Sequence, residues 1–228
     1  MATVPAPGAR PTTTGRRWFA SGVGVVLLLL VLASAYVFWP RTAHLRDFDP
    51  DRVAQLETRM WRSYYEKRYA ALLADLYTLS RDEYGFSPAD SLGIGWYAAR
   101  AAQTFQPTRS RAEAQQALPL LQRYFALLAA RGGETFDVHE AARLELDWWQ
   151  LRREDARPAE YGAVIARVSA LLFGADNVEI ASAGRLRAEM MAYRDQRDGG
   201  KMQEADWAHI ERELARSYRA LHEGIAIR

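Results

Sequence analysis

The chain has 228 residues, 30 of them basic and 28 acidic for a net charge of +2, and it contains no cysteine. Lack of cysteine excludes disulfides, thiolate nucleophiles and Cys-based zinc or iron–sulfur sites. A near balance of interspersed charge argues against a nucleic-acid partner, which would call for a basic face.

Lysine occurs only at Lys67 and Lys201, and alanine and arginine are abundant. We read this as the bias of a GC-rich bacterial genome. Abundant Ala, Leu, Arg and Glu also favour helix.

Residues 1–17 are rich in Pro, Thr, Gly and Ala without an apolar period, and read as a disordered cytoplasmic tail. Residues 18–40 read as one transmembrane helix. Phe19 to Trp39 carries no charge, and about 21 residues at a 1.5 Å rise span roughly the hydrocarbon core of a bilayer. Trp18 and Trp39 stand at headgroup level, with Arg16 and Arg17 on the N-terminal flank.

Two readings compete with the anchor. Ala33-Ser34-Ala35 has the form of a signal-peptide cleavage site, but the apolar run continues past it through Trp39. Arg16-Arg17-Trp18-Phe19 matches part of a twin-arginine signal in a segment too hydrophobic for one. Positive charge is almost evenly divided between the two flanks. The tight Arg16-Arg17 pair and short tail favour an inner-membrane protein with its N-terminus in the cytoplasm and its domain in the periplasm.

Residues 41–50 read as a juxtamembrane linker, and 51–228 as a soluble all-helical domain of about seven helices. Asp49-Pro50 caps a helix running to about Leu79. Ser87-Pro88-Ala89-Asp90 and Ser110-Arg111-Ala112-Glu113 are capping boxes, and Pro119 kinks or restarts the second helix. Asp137, Pro158 and Asn177 open three more, with Gly174 and Gly199-Gly200 as stops; a last helix with Trp207, Ile210, Leu214 and Leu221 ends at Gly224.

No segment alternates with period two, so no strand is expected. The fold class is all-α, a helical bundle, with an α-solenoid of tetratricopeptide-like repeats as alternative. Ala101, Phe105 and Pro107 resemble the second helix of a tetratricopeptide unit, but the match does not recur at a fixed period.

No catalytic motif is evident. His139-Glu140-Ala141-Ala142-Arg143 departs from the H-E-x-x-H zinc motif at Arg143, whose guanidinium cannot ligate a metal. Asp206, His209 and Glu213 share one helix face, a weak metal candidate without a second half among facing helices. Trp61, Tyr64, Tyr65, Tyr69 and Tyr77 follow one another at helical spacing and read as core.

The densest cluster lies in Arg143–Glu154. Trp148 and Trp149 cannot share one face, so this helix is packed on two sides or exposes an indole. Glu145, Trp149 and Arg152, with Arg100 and Arg194 from other helices, form either a buried ion-pair network or a polar ligand site.

The function expected from these features is a membrane-anchored helical interaction or scaffold module of the bacterial cell envelope, without catalysis or cofactor. Its expected partners are the lipid bilayer and another envelope protein, not nucleic acid. The alternative is a membrane-anchored enzyme or small-ligand receptor with a carboxylate- and Arg-lined site.

Overall fold

A computed structural model describes residues 14–197 and 202–226, with side chains from residue 25 onward. Residues 1–13 of the expected tail, the Gly199-Gly200 stop, and the side chains of Arg16, Arg17 and Trp18 lie outside the described residues; residues 14–17, expected as disordered tail, are instead the first turn of a helix. The chain divides into two units, Met1–Trp39 and Pro40–Arg228.

The first unit holds helix α1, Thr14–Phe38. Its apolar side chains from Val25 to Leu32 are all more than half exposed, as are Tyr36, Phe38 and Trp39. Among the described residues no helix is long and apolar enough to cross a membrane; the expected span from Phe19 to Trp39 is described with its side chains only from Val25.

The second unit is all helical among the described residues, with nine α-helices: α2 (Pro50–Tyr65), α3 (Tyr69–Thr78), α4 (Pro88–Phe105), α5 (Arg111–Ala114), α6 (Leu118–Arg131), α7 (Val138–Arg153), α8 (Pro158–Phe173), α9 (Val178–Gln196) and α10 (Glu204–Ala226). The caps are local chemistry. Asp49 accepts from the amides of Asp51 and Arg52, Ser87 from Asp90, Ser110 from Glu113, Asp137 from His139 and Glu140, and Asn177 from Ile180. Gly174 closes α8 in the left-handed region, φ 60°.

The expected seven helices are too few, for two reasons. The long first helix ends at Tyr65, where Lys67 adopts φ 58°. The Lys67 amide donates to Tyr64 and the Arg68 amide to Ser63, a Schellman closure in which lysine occupies the position usually taken by glycine. The helix opened by Ser110 breaks after one turn into a 3₁₀ segment, Gln115–Ala117, and restarts as α6 with Pro119 in its first turn.

Gly224 also does not end α10, which continues to Ala226. A Cβ there would lie 2.9 Å from both Asn177 Oδ1 and Ile180, so this glycine serves close packing of α10 on the start of α9.

Neighbouring helices pack in sequence from α2 to α4, on to α6, and through α7, α8 and α9 to α10, which packs back on α2. The order is that of a solenoid, but closure of α10 on α2 makes it a ring. The α8–α9 step is the tightest: a Cβ on Gly184 would meet the Gly162 carbonyl oxygen at 2.4 Å and the Ala166 amide nitrogen at 2.7 Å.

Within residues 41–50, Ala43, Leu45 and Phe48 are buried. Arg46 forms a two-pronged pair with Glu134 at 2.6 and 2.9 Å and donates to the carbonyls of Phe173 and Ile225. This segment is thereby fixed across the ends of α8 and α10.

Candidate ligand cavity

At the centre of the ring lies a cavity of about 350 Å³. Every long helix of the ring contributes to its wall. Glu57 and Met60 come from α2, Leu76 from α3, Ile94 and Ala98 from α4, and Leu121, Tyr124 and Phe125 from α6. Glu145, Trp148 and Trp149 come from α7, Ile165, Val168 and Leu172 from α8, Arg187 from α9, and Ser217 and Tyr218 from α10. A five-residue π-helical turn, Leu79–Glu83, ends α3 and brings Leu79 and Ser80 to the wall, followed by Tyr84. Most of the lining is aliphatic or aromatic, with a few polar groups, which is the composition of a small-molecule site.

Two carboxylates face this space in opposite circumstances. Glu57, 5 % exposed, accepts two hydrogen bonds from the Arg187 guanidinium, one from the Tyr218 hydroxyl, and one from the Trp61 indole at 3.1 Å. Arg187 Nη1 also donates to the Tyr218 oxygen at 3.0 Å. Burial pushes the Glu57 carboxyl up, but the Arg187 charge and these hydrogen bonds outweigh it and hold the group below its ordinary range. The result is a charge-neutral, saturated pair.

Glu145 has no such partner. Trp149 donates its indole N–H to Oε1 at 3.0 Å, and no basic side chain among the described residues forms an ion pair with it. Burial raises its carboxyl above the usual range, offset only in part by the Trp148 donor, the Arg187 charge and the Trp149 donor. It is partly buried and lines the cavity. Burial likewise raises Tyr84 and Tyr124.

The cluster anticipated from sequence is divided between three places. Glu145 and Trp149 face the cavity. Arg152 pairs with Asp195 at 2.7 and 2.8 Å, donates to the Tyr65 hydroxyl at 3.2 Å, and stands 5.5 Å from the Trp61 ring. Arg194 lies over the Tyr65 ring beside the same Asp195. Arg100 is exposed, bonded to Gln103 and 5.8 Å from the Trp96 ring. Trp148 and Trp149 meet edge to face at 6.0 Å, both partly buried, so α7 is packed on two sides.

The other sequence candidates are satisfied locally. Asp206 accepts from the Tyr193 hydroxyl at 2.7 Å and the Gln203 amide at 3.0 Å; His209 stacks at 4.3 Å from Tyr193; Glu213 pairs with Arg216. Among the described residues no group of three His, Asp or Glu side chains could hold a metal. Arg143 pairs with Glu140 one turn earlier, and of the Trp61–Tyr77 aromatics only Tyr69 stands more than half exposed.

Compared with family models, characterised proteins and solved structures, the chain matches none. Function is therefore argued from the site alone.

Glu57, Arg187, Tyr218, Tyr84 and Tyr124 are absent from the sequence-based candidates. A signal for two of them exists: Glu57 lies beside Leu56 and one turn after Val53, and Arg187 is flanked by Leu186 and Met190 on a helix with seven buried residues. A charge within an apolar stripe indicates a buried partner.

Proposed function

We propose that this protein is a membrane-tethered small-ligand receptor of the bacterial envelope, with the central cavity of the helical ring as its binding site. The observation that carries the reading is a 350 Å³ cavity, mostly apolar, with the uncompensated carboxyl of Glu145 in its wall. That volume lies within the usual range for small-molecule pockets. Among the described residues of its wall no nucleophile–base pair is formed, and the reading is of binding.

The tether rests on the uncharged stretch from Phe19 to Trp39 and the exposed apolar surface from Val25 to Phe38, since an apolar surface of this extent needs a non-aqueous environment. That stretch of about 21 uncharged residues spans roughly a bilayer's hydrocarbon core at a 1.5 Å rise per residue. We place the N-terminus in the cytoplasm and the ring in the periplasm. Alkaline extraction of membranes should leave the full chain in the lipid fraction, and a C-terminal periplasmic reporter should be active. A mature chain that begins near Tyr36 and stays in the aqueous fraction would refute the tether.

The receptor reading predicts that the full chain in lipid nanodiscs binds a neutral apolar probe, 4-phenylbutan-1-ol, saturably in calorimetry. Ala98→Trp, which fills the cavity, should abolish the heat without lowering Tm. Absence of saturable binding to the native chain would refute it.

A second reading, a scaffold for another envelope protein, draws on Leu92 and Trp96. They lie one turn apart on α4 and are 52 % and 53 % exposed, an aromatic–aliphatic pair of the kind that anchors interfaces. Crosslinking in membranes followed by purification should then recover a stoichiometric partner that Trp96→Ala loses; recovery of background proteins alone counts against it.

A further inference from the structure

The charge inventory of the cavity specifies what kind of ligand it takes, an inference that rests on the receptor reading above. Glu57 and Arg187 cancel each other, and Nη1 and Nη2 of Arg187 donate to Glu57 and Tyr218. The charge of the guanidinium is thereby already neutralised before an incoming carboxylate or phosphate could use it. An anion entering this space would be desolvated without a counter-charge, at severe cost.

The remaining ionisable acid is Glu145. It receives indole hydrogen bonds from Trp149 and Trp148, which leave its charge unneutralised. Around it stand the rings of Trp148, Trp149 and Tyr124. The faces of such rings carry negative potential and attract cations, and tryptophan does so most strongly. A carboxylate without a cation, set among aromatic rings, forms a cavity electrostatically complementary to a positive charge. The lining also includes Leu121, Ile165 and Val168, which offer aliphatic surface for an apolar body.

We propose that the cavity binds an amphipathic amine, its ammonium paired with Glu145 and flanked by Trp148, Trp149 and Tyr124, its apolar part against α6 and α8. Burial raises the Glu145 carboxyl, which agrees with this assignment: an ammonium beside it would offset the cost of burying its charge.

The test uses three probes of matched shape, 4-phenylbutylamine, 4-phenylbutan-1-ol and 4-phenylbutyrate, titrated into the full chain in nanodiscs, with empty nanodiscs as control. The amine should bind at least about tenfold more tightly than the alcohol, one charge-assisted contact being worth that much, and the butyrate more weakly than either. Glu145→Gln keeps the shape and an acceptor for the Trp149 indole. It should reduce amine affinity to that of the alcohol, while a near-UV circular-dichroism spectrum matching that of the native chain reports that the cavity is intact. Glu145→Asp should retain part of the preference. If the alcohol matches the amine in the native chain, or if Glu145→Gln keeps the amine preference, the cation assignment is wrong while the receptor reading stands. If none of the probes binds, both fail.

Discussion

Glu57 and Glu145 face the same cavity from α2 and α7 and differ in almost everything that environment can set. Glu57 is surrounded by donors: a guanidinium, a phenol and an indole converge on its two oxygens. Glu145 has indole donors and no adjacent cation. Burial acts on both in the same direction, and the presence of Arg187 beside one of them reverses the outcome. The comparison shows that depth alone does not determine the charge of a buried acid; its partners do. It also separates a group committed to holding helices together from one left available to a ligand.

The comparison breaks most severely at Arg187. Arg187→Met leaves an ionised Glu57 buried without its cation and should cost about 3–5 kcal/mol in chemical denaturation of the full chain. Adding Glu57→Leu should recover much of that loss, because an apolar pair of similar volume replaces two buried charges. A loss under about 1 kcal/mol for the single variant would show that the pair is not desolvated as described.

The second way to sharpen it is pH. Glu57 sits below its ordinary value in the folded chain, so its contribution is complete above the unfolded value and is lost as pH falls through the folded one. Glu145 is raised, so the sign is opposite. It costs nothing while protonated in both states, and stability declines as pH rises from its unfolded value up to its folded value. Glu145→Gln should remove that decline, making the variant more stable than the native chain at pH 8 and equal to it near pH 4. The effect should be smaller than that of Arg187→Met. Equal stability of variant and native chain at both pH values would remove the distinction between the two acids.

The smallest effect provides the control. Arg143 and Glu140 form an exposed pair one turn apart at 2.6 Å, a short charge-assisted contact like those of Glu57. Arg143→Ala should change stability by no more than about 0.5 kcal/mol, because water screens the pair and solvates either partner left alone. A larger loss would mean that hydrogen-bond distance, and not burial, sets the scale.

The sequence anticipated the local features and missed the distant ones. The capping roles of Asp49, Ser87, Ser110, Asp137 and Asn177, the Gly174 stop and the restart at Pro119 all match the structure. Each is an interaction within a few residues, between a side chain and the nearest backbone amides or carbonyls. The break at Lys67 was not legible, since lysine carries no particular preference for a left-handed turn and its conformation there is held by the packing of α2 against α3. In the Arg143–Glu154 cluster, the residue types pointed to buried polar chemistry, and Glu145 and Trp149 do meet. Arg152 and Arg194 face a different neighbour, because the direction of a side chain across a helix depends on which helix lies opposite.

The sequence by itself determined the helical class, most helix starts, the Gly174 stop, and an uncharged apolar stretch near the start, because propensity, capping and hydropathy act over one or two turns. Only the tertiary structure decided that α10 closes on α2, that a cavity remains at the centre, and that Glu57 meets Arg187 across 130 residues of chain while Glu145 meets no cation. The physical reason is range: a cap is satisfied by its own neighbours, whereas a buried charge is satisfied by whichever distant helix the packing of the ring brings against it.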